Sequence, residues 1–150
     1  MKKSILRDLD MNDGMAVTLA MLKEHPMQYI GVIGLDGKPK VKAFEFKYEE
    51  KGKLWFDTIR GKETWKEISR HPDVEITVAD DETMDWIRIS GKVRMQEDEE
   101  HRRKVLEASP ILRKYHSGPE EKEIVPFTLD DVHVEVSSLE PEIGTHRYKL

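Results

Sequence analysis

The clearest hydrophobic pattern in the chain is a two-residue alternation between Trp86 and Met95. Apolar or small residues occupy every second position there, and polar residues lie between them. Successive side chains of a strand point to opposite faces of a sheet, so the pattern predicts a long strand with one face in a core. The same alternation predicts two further strands, at positions 74–78 and 132–136.

Turn residues place three more strands in the first half of the chain. An apolar run at 29–33 is followed by Asp36-Gly37, a pair typical of tight hairpins. The second strand is predicted over Pro39 to Glu49, and Lys51-Gly52 turns the chain into a third over 53–58. Connections this short join antiparallel neighbours, so the segment is predicted to be a meander.

Capping residues and helical spacing predict about four short helices. Asn12 or Asp13 caps the first, which extends to about Glu24. Ser109-Pro110 provides a cap and a first helical residue for another, which Gly118-Pro119 closes. The other two are predicted over 62–70 and 99–107.

The six predicted strands outnumber the helices and are mostly linked by hairpins. This combination predicts a mainly β fold with short helices (α+β), in which antiparallel strands form a small barrel filled by side chains. The chain has an even composition without repeats or linkers, so residues 1–150 are predicted to form a single domain.

Composition narrows the functional classes. The chain has 25 Lys and Arg against 30 Asp and Glu, a net charge of -5, and no strong basic block, so no nucleic-acid partner is expected. The longest uncharged stretch, 26–35, is half the length of about 20 residues that a membrane span needs. Without cysteine there is no disulfide and no thiolate nucleophile. With no targeting signal in the sequence, we expect a cytoplasmic protein.

The histidines give little support for a metal site. Among the six, no two are spaced at i, i+3 or i, i+4. His133 and Glu135 share a predicted strand face, but two ligands without a third do not make a site, so no metal is predicted. The glycine-rich motifs of Rossmann and P-loop nucleotide sites are also missing from the sequence.

A strand, a short loop and a helix between 54 and 65 form the strongest local candidate for a binding site. Backbone N–H groups at a helix start favour an anion. Thr58 adds a hydroxyl donor, Arg60 and Lys62 add positive charge, and Gly61 lets the backbone approach closely. The pattern indicates a phosphate site, or else an ordinary strand-to-helix connection with two solvated cations.

Lys42 is predicted to share a strand face with Phe44 and Phe46. A cation on an aromatic face is unusual if that face is fully buried. Two interpretations stay open: Lys42 reaches a bound anion or an electron-rich ring, or the face is partly exposed and its side chain extends to solvent.

Three stretches together resemble a known family. Val41-Lys42-Ala43-Phe44 is similar to a strand that typically reads Val-Arg-Pro-Phe. The segment from Phe56-Asp57-Thr58 to Gly61-Lys62, followed by a helix ending in His-Pro-Asp-Val, is similar to a strand and loop that hold the FMN phosphate. The strand from Trp86 to Val93 ends in a similar Gly-Lys step. The order and spacing of these three stretches resemble those of the pyridoxamine 5′-phosphate oxidase-like family of FMN-binding split β-barrels. A final strand near 132–143 fits the same pattern.

The resemblance implies a six-stranded antiparallel split β-barrel that pairs as a homodimer, with FMN in clefts at the subunit interface. It implies that Lys42, Ala43, Phe44 and Glu45 run beside the isoalloxazine ring, largely through backbone groups. Other cofactor-binding positions implied by the matching stretches are Asp57, Thr58, Arg60, Gly61, Lys62 and Trp86. Of these, Thr58, Arg60 and Lys62 are expected to meet the phosphate.

The chain departs from the true oxidases at several positions. Trp86 stands where they carry a glutamine that reaches the flavin of the other subunit, and Lys42 replaces their arginine. The segment from Glu140 to Leu150 does not match their Trp- and Arg-containing tail, so vitamin B6 oxidation is not expected. The sequence is more similar to the branch of nitroimidazole-resistance proteins and general-stress flavoproteins.

The expected function is therefore FMN-dependent oxidoreduction, in which reduced FMN passes electrons to a small electrophile such as a nitroaromatic. No catalytic side chain is identified, because this chemistry belongs mainly to the flavin. The alternatives are a non-catalytic flavin or haem carrier and a dimeric interaction module with an empty cleft.

Overall fold

The computed structural model describes residues 2–116 and 122–150 and contains, within them, eight strands in one antiparallel sheet. The strands are β1 (Gln28–Ile33), β2 (Pro39–Phe44), β3 (Tyr48–Glu50), β4 (Lys53–Ile59), β5 (Asp73–Ala79), β6 (Trp86–Met95), β7 (Ile124–Ser137) and β8 (Thr145–Lys149). They lie in the order β2-β1-β5-β6-β7-β4-β3, and β8 pairs with the second half of β7.

Short helices flank the sheet. In the described residues these are a 3-10 turn (Ile5–Asp8), α1 (Gly14–Glu24), α2 (Glu63–Arg70), α3 (Glu99–Ala108) and α4 (Pro110–Tyr115). The predicted caps of α1 and α4 are confirmed, because the Asp13 and Ser109 side chains accept hydrogen bonds from the N–H groups of Ala16 and Leu112. The predicted closure at Gly118-Pro119 lies outside the described residues.

The sheet curls until its two ends meet. Phe44 lies on the first strand of the order, β2, and Phe56 on the last but one, β4, yet their ring centroids are 5.4 Å apart. Phe127 of β7 stacks on both rings. The inward faces of the strands fill this interior, which makes the antiparallel split barrel that the sequence predicts.

The alternation predicted for β6 is confirmed in detail. Ile87 and Ile89 are fully buried, whereas Arg88 between them is exposed. Gly91 also faces inward, and a Cβ atom added there would lie 3.0 Å from the Cβ of Leu129. This close contact accompanies a register shift between Ser90 and Lys92, where β6 pairs with β7.

The predicted count of six strands is too low. The second predicted strand, Pro39 to Glu49, is two strands, since β2 pairs with β1 and β3 pairs with β4. The ladder with β1 ends at Phe44, and the Phe46 N–H donates to the side-chain oxygen of Gln28 instead of to a backbone carbonyl of β1. The last predicted strand is longer and starts earlier than 132, and it ends at Ser137 rather than near 143. The final strand, β8, was not predicted.

Within the described part of the chain, no helix has the length and apolar composition needed to cross a membrane.

Candidate functional site

The loop between β4 and α2 brings several predicted residues to the start of a helix. Gly61 turns the chain with a φ of 82°, and nothing lies within 4 Å of where its Cβ would be. The Lys62 N–H then donates to the Ile59 carbonyl, and α2 begins at Glu63. The loop is therefore tight, open to solvent and followed at once by free helical N–H groups.

The N-terminus of α2 lacks a side-chain cap among the described residues. The other three α-helices described here are capped by Asp13, Asp98 and Ser109, which each accept a hydrogen bond from a first-turn N–H. At α2 the cap position is held by Lys62, a cation that opposes the positive end of the helix dipole. Its side chain is exposed and has no ion pair within the described residues. An external anion at this position would satisfy both the N–H groups and Lys62.

Lys42 reaches the same helix from β2. It pairs with Ile30 on β1 and so lies on the core face of the strand. Its Nζ atom is 2.5 Å from Glu67 Oε1 and 3.3 Å from Glu63 Oε2. Burial lowers the pKa of Lys42, but the hydrogen bonds to Glu67 and Glu63 outweigh it and raise the pKa overall, so the ammonium is charged at neutral pH.

Arg60, the other predicted cation of this loop, is held by two carboxylates. Its guanidinium is 2.5 Å from Glu97 and 3.9 Å from Glu123, and it lies 5.9 Å from the ring centroid of Trp65. The backbone N–H of Arg60 also donates to the Glu123 carbonyl. Arg60 thus ties the loop to the residue before β7, and its guanidinium is already partly neutralised by Glu97.

Thr58 and Asp57 point to opposite faces of β4. Thr58 is buried on the face of Phe56, next to the loop. Asp57 lies on the other face, where its Oδ1 is 3.1 Å from Lys47 Nζ. Burial raises the pKa of Asp57 even though Lys47 lowers it. The side chain of Asp57 is therefore part of a buried ion network and is directed away from the α2 loop.

Glu45 belongs to the same network. Its Oε1 is 2.5 Å from Lys47 Nζ and accepts a 2.7 Å hydrogen bond from Ser109 Oγ. Burial raises the pKa of Glu45, but the bonds from Lys47 and Ser109 outweigh it, and the pKa is lowered overall. Through Ser109, which also caps α4, the network ties β4 and the segment between β2 and β3 to α4.

Ala43 and Trp86 lie on the outer face of the sheet. Ala43 pairs with Tyr29 on β1, and Trp86 pairs with Ala79 on β5. Strand β6 is three strands away from β2, about 14 Å at the usual strand spacing. The Trp86 ring instead contacts the Arg88 guanidinium, 5.4 Å from its centroid. Within one chain, Trp86 and Lys42 therefore do not form a common site.

Sequence reasoning missed the carboxylates around the predicted cations. Glu63 and Glu67 are four residues apart, and this spacing could have shown that they share one face of α2. The spacing does not show that Glu67 is fully buried, because that depends on how α2 packs against the sheet. Lys47 was missed as well, since only the fold brings it to Asp57.

Comparison with known proteins supports the fold and identifies the family. No match was found among curated protein sequences. The model of the pyridoxamine 5′-phosphate oxidase family matches residues 16–136, which extend from α1 into β7.

Solved structures with the same fold include members of the branch that the sequence resembles. A NimC/NimA family protein from Clostridium acetobutylicum is 23% identical and has a TM-score of 0.80 over 99% of this chain and 100% of that one. A protein related to general stress protein 26, from the same organism, is 12% identical, with a TM-score of 0.73 over 95% and 97%. A structure described as a candidate 5-nitroimidazole antibiotic resistance protein from Bacteroides thetaiotaomicron is 22% identical, with a TM-score of 0.56 over 83% and 84%. Because the family model covers most of the chain, the protein belongs to the pyridoxamine 5′-phosphate oxidase family.

Proposed function

We propose that the protein binds FMN with the phosphate at the start of α2, and that it passes electrons from reduced FMN to a small electrophile such as a nitroaromatic. The observation that carries the proposal is the N-terminus of α2, which among the described residues has no side-chain cap and has Lys62 at its cap position. The family to which the chain belongs has flavin-binding members.

The residues around the loop fit a phosphate group. The first-turn N–H groups of α2 and the exposed Lys62 ammonium are donors, and Gly61 leaves the approach open. Lys42 Nζ lies 3.3 Å from the Glu63 carboxylate at the helix start, so a second cation is within reach of an anion at this position. A hydrogen bond to a charged group contributes roughly 1.5–3 kcal/mol, so two or three such contacts would give substantial affinity.

The edge of β2 fits the planar ring of a flavin. In the described sheet β2 lies at one end of the strand order, so one side of its backbone from Lys42 to Phe44 is without a neighbouring strand. Such an edge presents N–H and C=O groups that match the carbonyl and imide groups of isoalloxazine. When bound, FMN supplies the electron and hydride transfer, and the chain supplies position and charge.

We propose that the protein is a homodimer and that the second copy covers the outer face. Three large apolar side chains are exposed there: Met27, Tyr29 and Val41, the last of them 73% exposed. Tyr29 and Val41 lie on the paired strands β1 and β2, next to the proposed ring position. A partner placed on this face would bury them and would bring its own Trp86 towards the ring.

A nitro compound as acceptor is supported by a structural neighbour that is described as a candidate 5-nitroimidazole antibiotic resistance protein. The carboxylates of the proposed site, Glu63 and Glu67, both face Lys42 at the phosphate end, and the proposed ring position along β2 is described by backbone groups. An acceptor that takes electrons directly from the flavin suits such a site better than a substrate that needs a protein base.

The visible spectrum of the purified protein tests the cofactor, and an anaerobic reaction tests the acceptor. A bound flavin gives a yellow protein that absorbs in the blue. After chemical reduction of the flavin, addition of a nitroimidazole should restore the oxidised spectrum faster than in a free-FMN control. A Soret band in place of the flavin spectrum would favour a haem carrier, and reduced flavin that outlasts excess nitroimidazole would favour a flavin carrier.

A further inference from the structure

Lys42 lies between two carboxylates that belong to one face of α2, one turn apart. Glu67 is fully buried, while the side chain of Glu63 is 69% exposed. The two groups are chemically identical and contact the same ammonium, yet their surroundings differ completely. This difference, together with the proposed phosphate position, gives them opposite roles.

Glu67 fixes the position of Lys42. Its Oε1 is 2.5 Å from Nζ, and its Oε2 is buried without a hydrogen-bond partner among the described residues. A buried carboxylate that has only one cationic neighbour binds that neighbour tightly, because separation would leave a charge in a nonpolar environment. A long flexible lysine side chain is thereby held with its ammonium at the start of α2 instead of extending to solvent.

Glu63 acts differently because it can move. It is the first residue of α2, where the helix dipole favours a negative charge, and its Oε2 lies 3.3 Å from the same Nζ atom. A ligand phosphate at the start of α2 would use the same two interactions, one with the helix start and one with Lys42. The exposed side chain can rotate into solvent when another anion arrives, at little cost in stability.

We propose that Glu67 is a positioning residue for Lys42 and that Glu63 is an internal competitor that the ligand phosphate displaces. The inference rests on the proposed function, since it takes FMN as the ligand. It implies that the two carboxylates set how strongly the protein prefers FMN over riboflavin, which has the same ring system without the phosphate.

Flavin titrations of the full-length protein and its variants test the inference. We expect E63Q to bind FMN at least threefold more tightly than the unaltered protein, and E67Q to bind it at least threefold more weakly. Riboflavin affinity should change little in either variant, because the ring does not contact these groups. E99Q is the matched control: Glu99 is the exposed first residue of α3 and should leave both affinities unchanged.

A second variant pair separates positioning from loss of structure. If Glu63 acts through Lys42, E63Q in a K42M background should no longer tighten FMN. K42M keeps most of the length of the side chain but not its charge, and the comparison of K42M with K42M/E63Q does not depend on whether E67Q folds normally.

The outcomes are distinguishable. Equal or weaker FMN binding by E63Q overturns the competitor role, and unchanged FMN binding by folded E67Q overturns the positioning role. Equal changes for FMN and riboflavin overturn both roles, while the flavin function remains. If neither the unaltered protein nor any variant binds flavin, the proposed function fails and this inference fails with it.

Discussion

Substitution of Lys47 by methionine should be one of the most damaging single changes in the core. Lys47 and Asp57 form an ion pair at 3.1 Å, and both side chains are more than nine-tenths buried. Removal of one partner from a buried pair typically costs 3–5 kcal/mol, because the remaining charge stays buried without its ion-pair partner. For a domain of this size, such a loss lowers the melting temperature by roughly 10 °C.

The stability that K47M loses should depend on pH in a definite direction. Burial already raises the pKa of Asp57 above its unfolded value, although Lys47 and His116 oppose the effect, and removal of Lys47 raises the pKa further. A group with a raised pKa in the folded state favours folding below its unfolded pKa, and this contribution is lost as the pH rises through the folded value. K47M should therefore lose more stability at pH 7 than near pH 5.

Chemical denaturation at both pH values measures these changes. The double variant K47M/D57N removes both charges and should recover part of the stability lost by K47M at pH 7, because no uncompensated Asp57 charge remains. A loss below about 1 kcal/mol at pH 7 would be typical of a solvent-exposed pair and would refute the reasoning. A large loss that is the same at both pH values would show that lost packing, not the unpaired charge, is responsible.

Three further predictions concern other parts of the molecule. Burial lowers the pKa of His101, but hydrogen bonds to Asp98 and Glu50 outweigh it and raise the pKa overall. The free energy of unfolding should thus fall as the pH rises above about 6.5, and it should fall less in H101Q than in the unaltered protein. The same pH dependence of the free energy of unfolding in both proteins would argue against this. Replacement of Gly14 by alanine should cost about 1–3 kcal/mol in thermal or chemical unfolding, since the new Cβ would lie 2.7 Å from the Tyr148 ring. Light scattering at micromolar concentration should give about twice the chain mass of 17.5 kDa, and a monomer mass would contradict the proposed dimer.

The sequence predicted those parts of the fold that local patterns determine. The alternation in β6 correctly separated the buried Ile87 from the exposed Arg88, and Asp13 and Ser109 correctly marked two helix starts. The split between β2 and β3 could not be predicted, because it depends on the Gln28 side chain, which accepts a hydrogen bond from Phe46, 18 residues away. Strand β8 has no apolar alternation that would have indicated it.

The candidate site was predicted only in part, because some of its contacts join residues that are far apart in the sequence. Thr58 at the end of β4 and Gly61 and Lys62 in the loop that follows lie close together in the sequence, so their proximity is local. The partner of Lys42 is Glu67, 25 residues later, and its burial depends on how α2 packs against β1 and β4. Asp57 matches the family pattern in sequence, yet the pleat of β4 turns its side chain to the opposite face from Thr58.

The most direct test of the account is FMN affinity measured in K62A and in K66A. Both lysines are exposed on the same helix, but Lys62 is at its start and Lys66 is one turn further on. Loss of one charged hydrogen bond to the phosphate, roughly 1.5–3 kcal/mol, predicts that K62A binds FMN about tenfold or more weakly, with riboflavin affinity and apo-protein stability nearly unchanged. K66A should match the unaltered protein. Equal FMN affinity in K62A and the unaltered protein would contradict the placement of the phosphate at the start of α2.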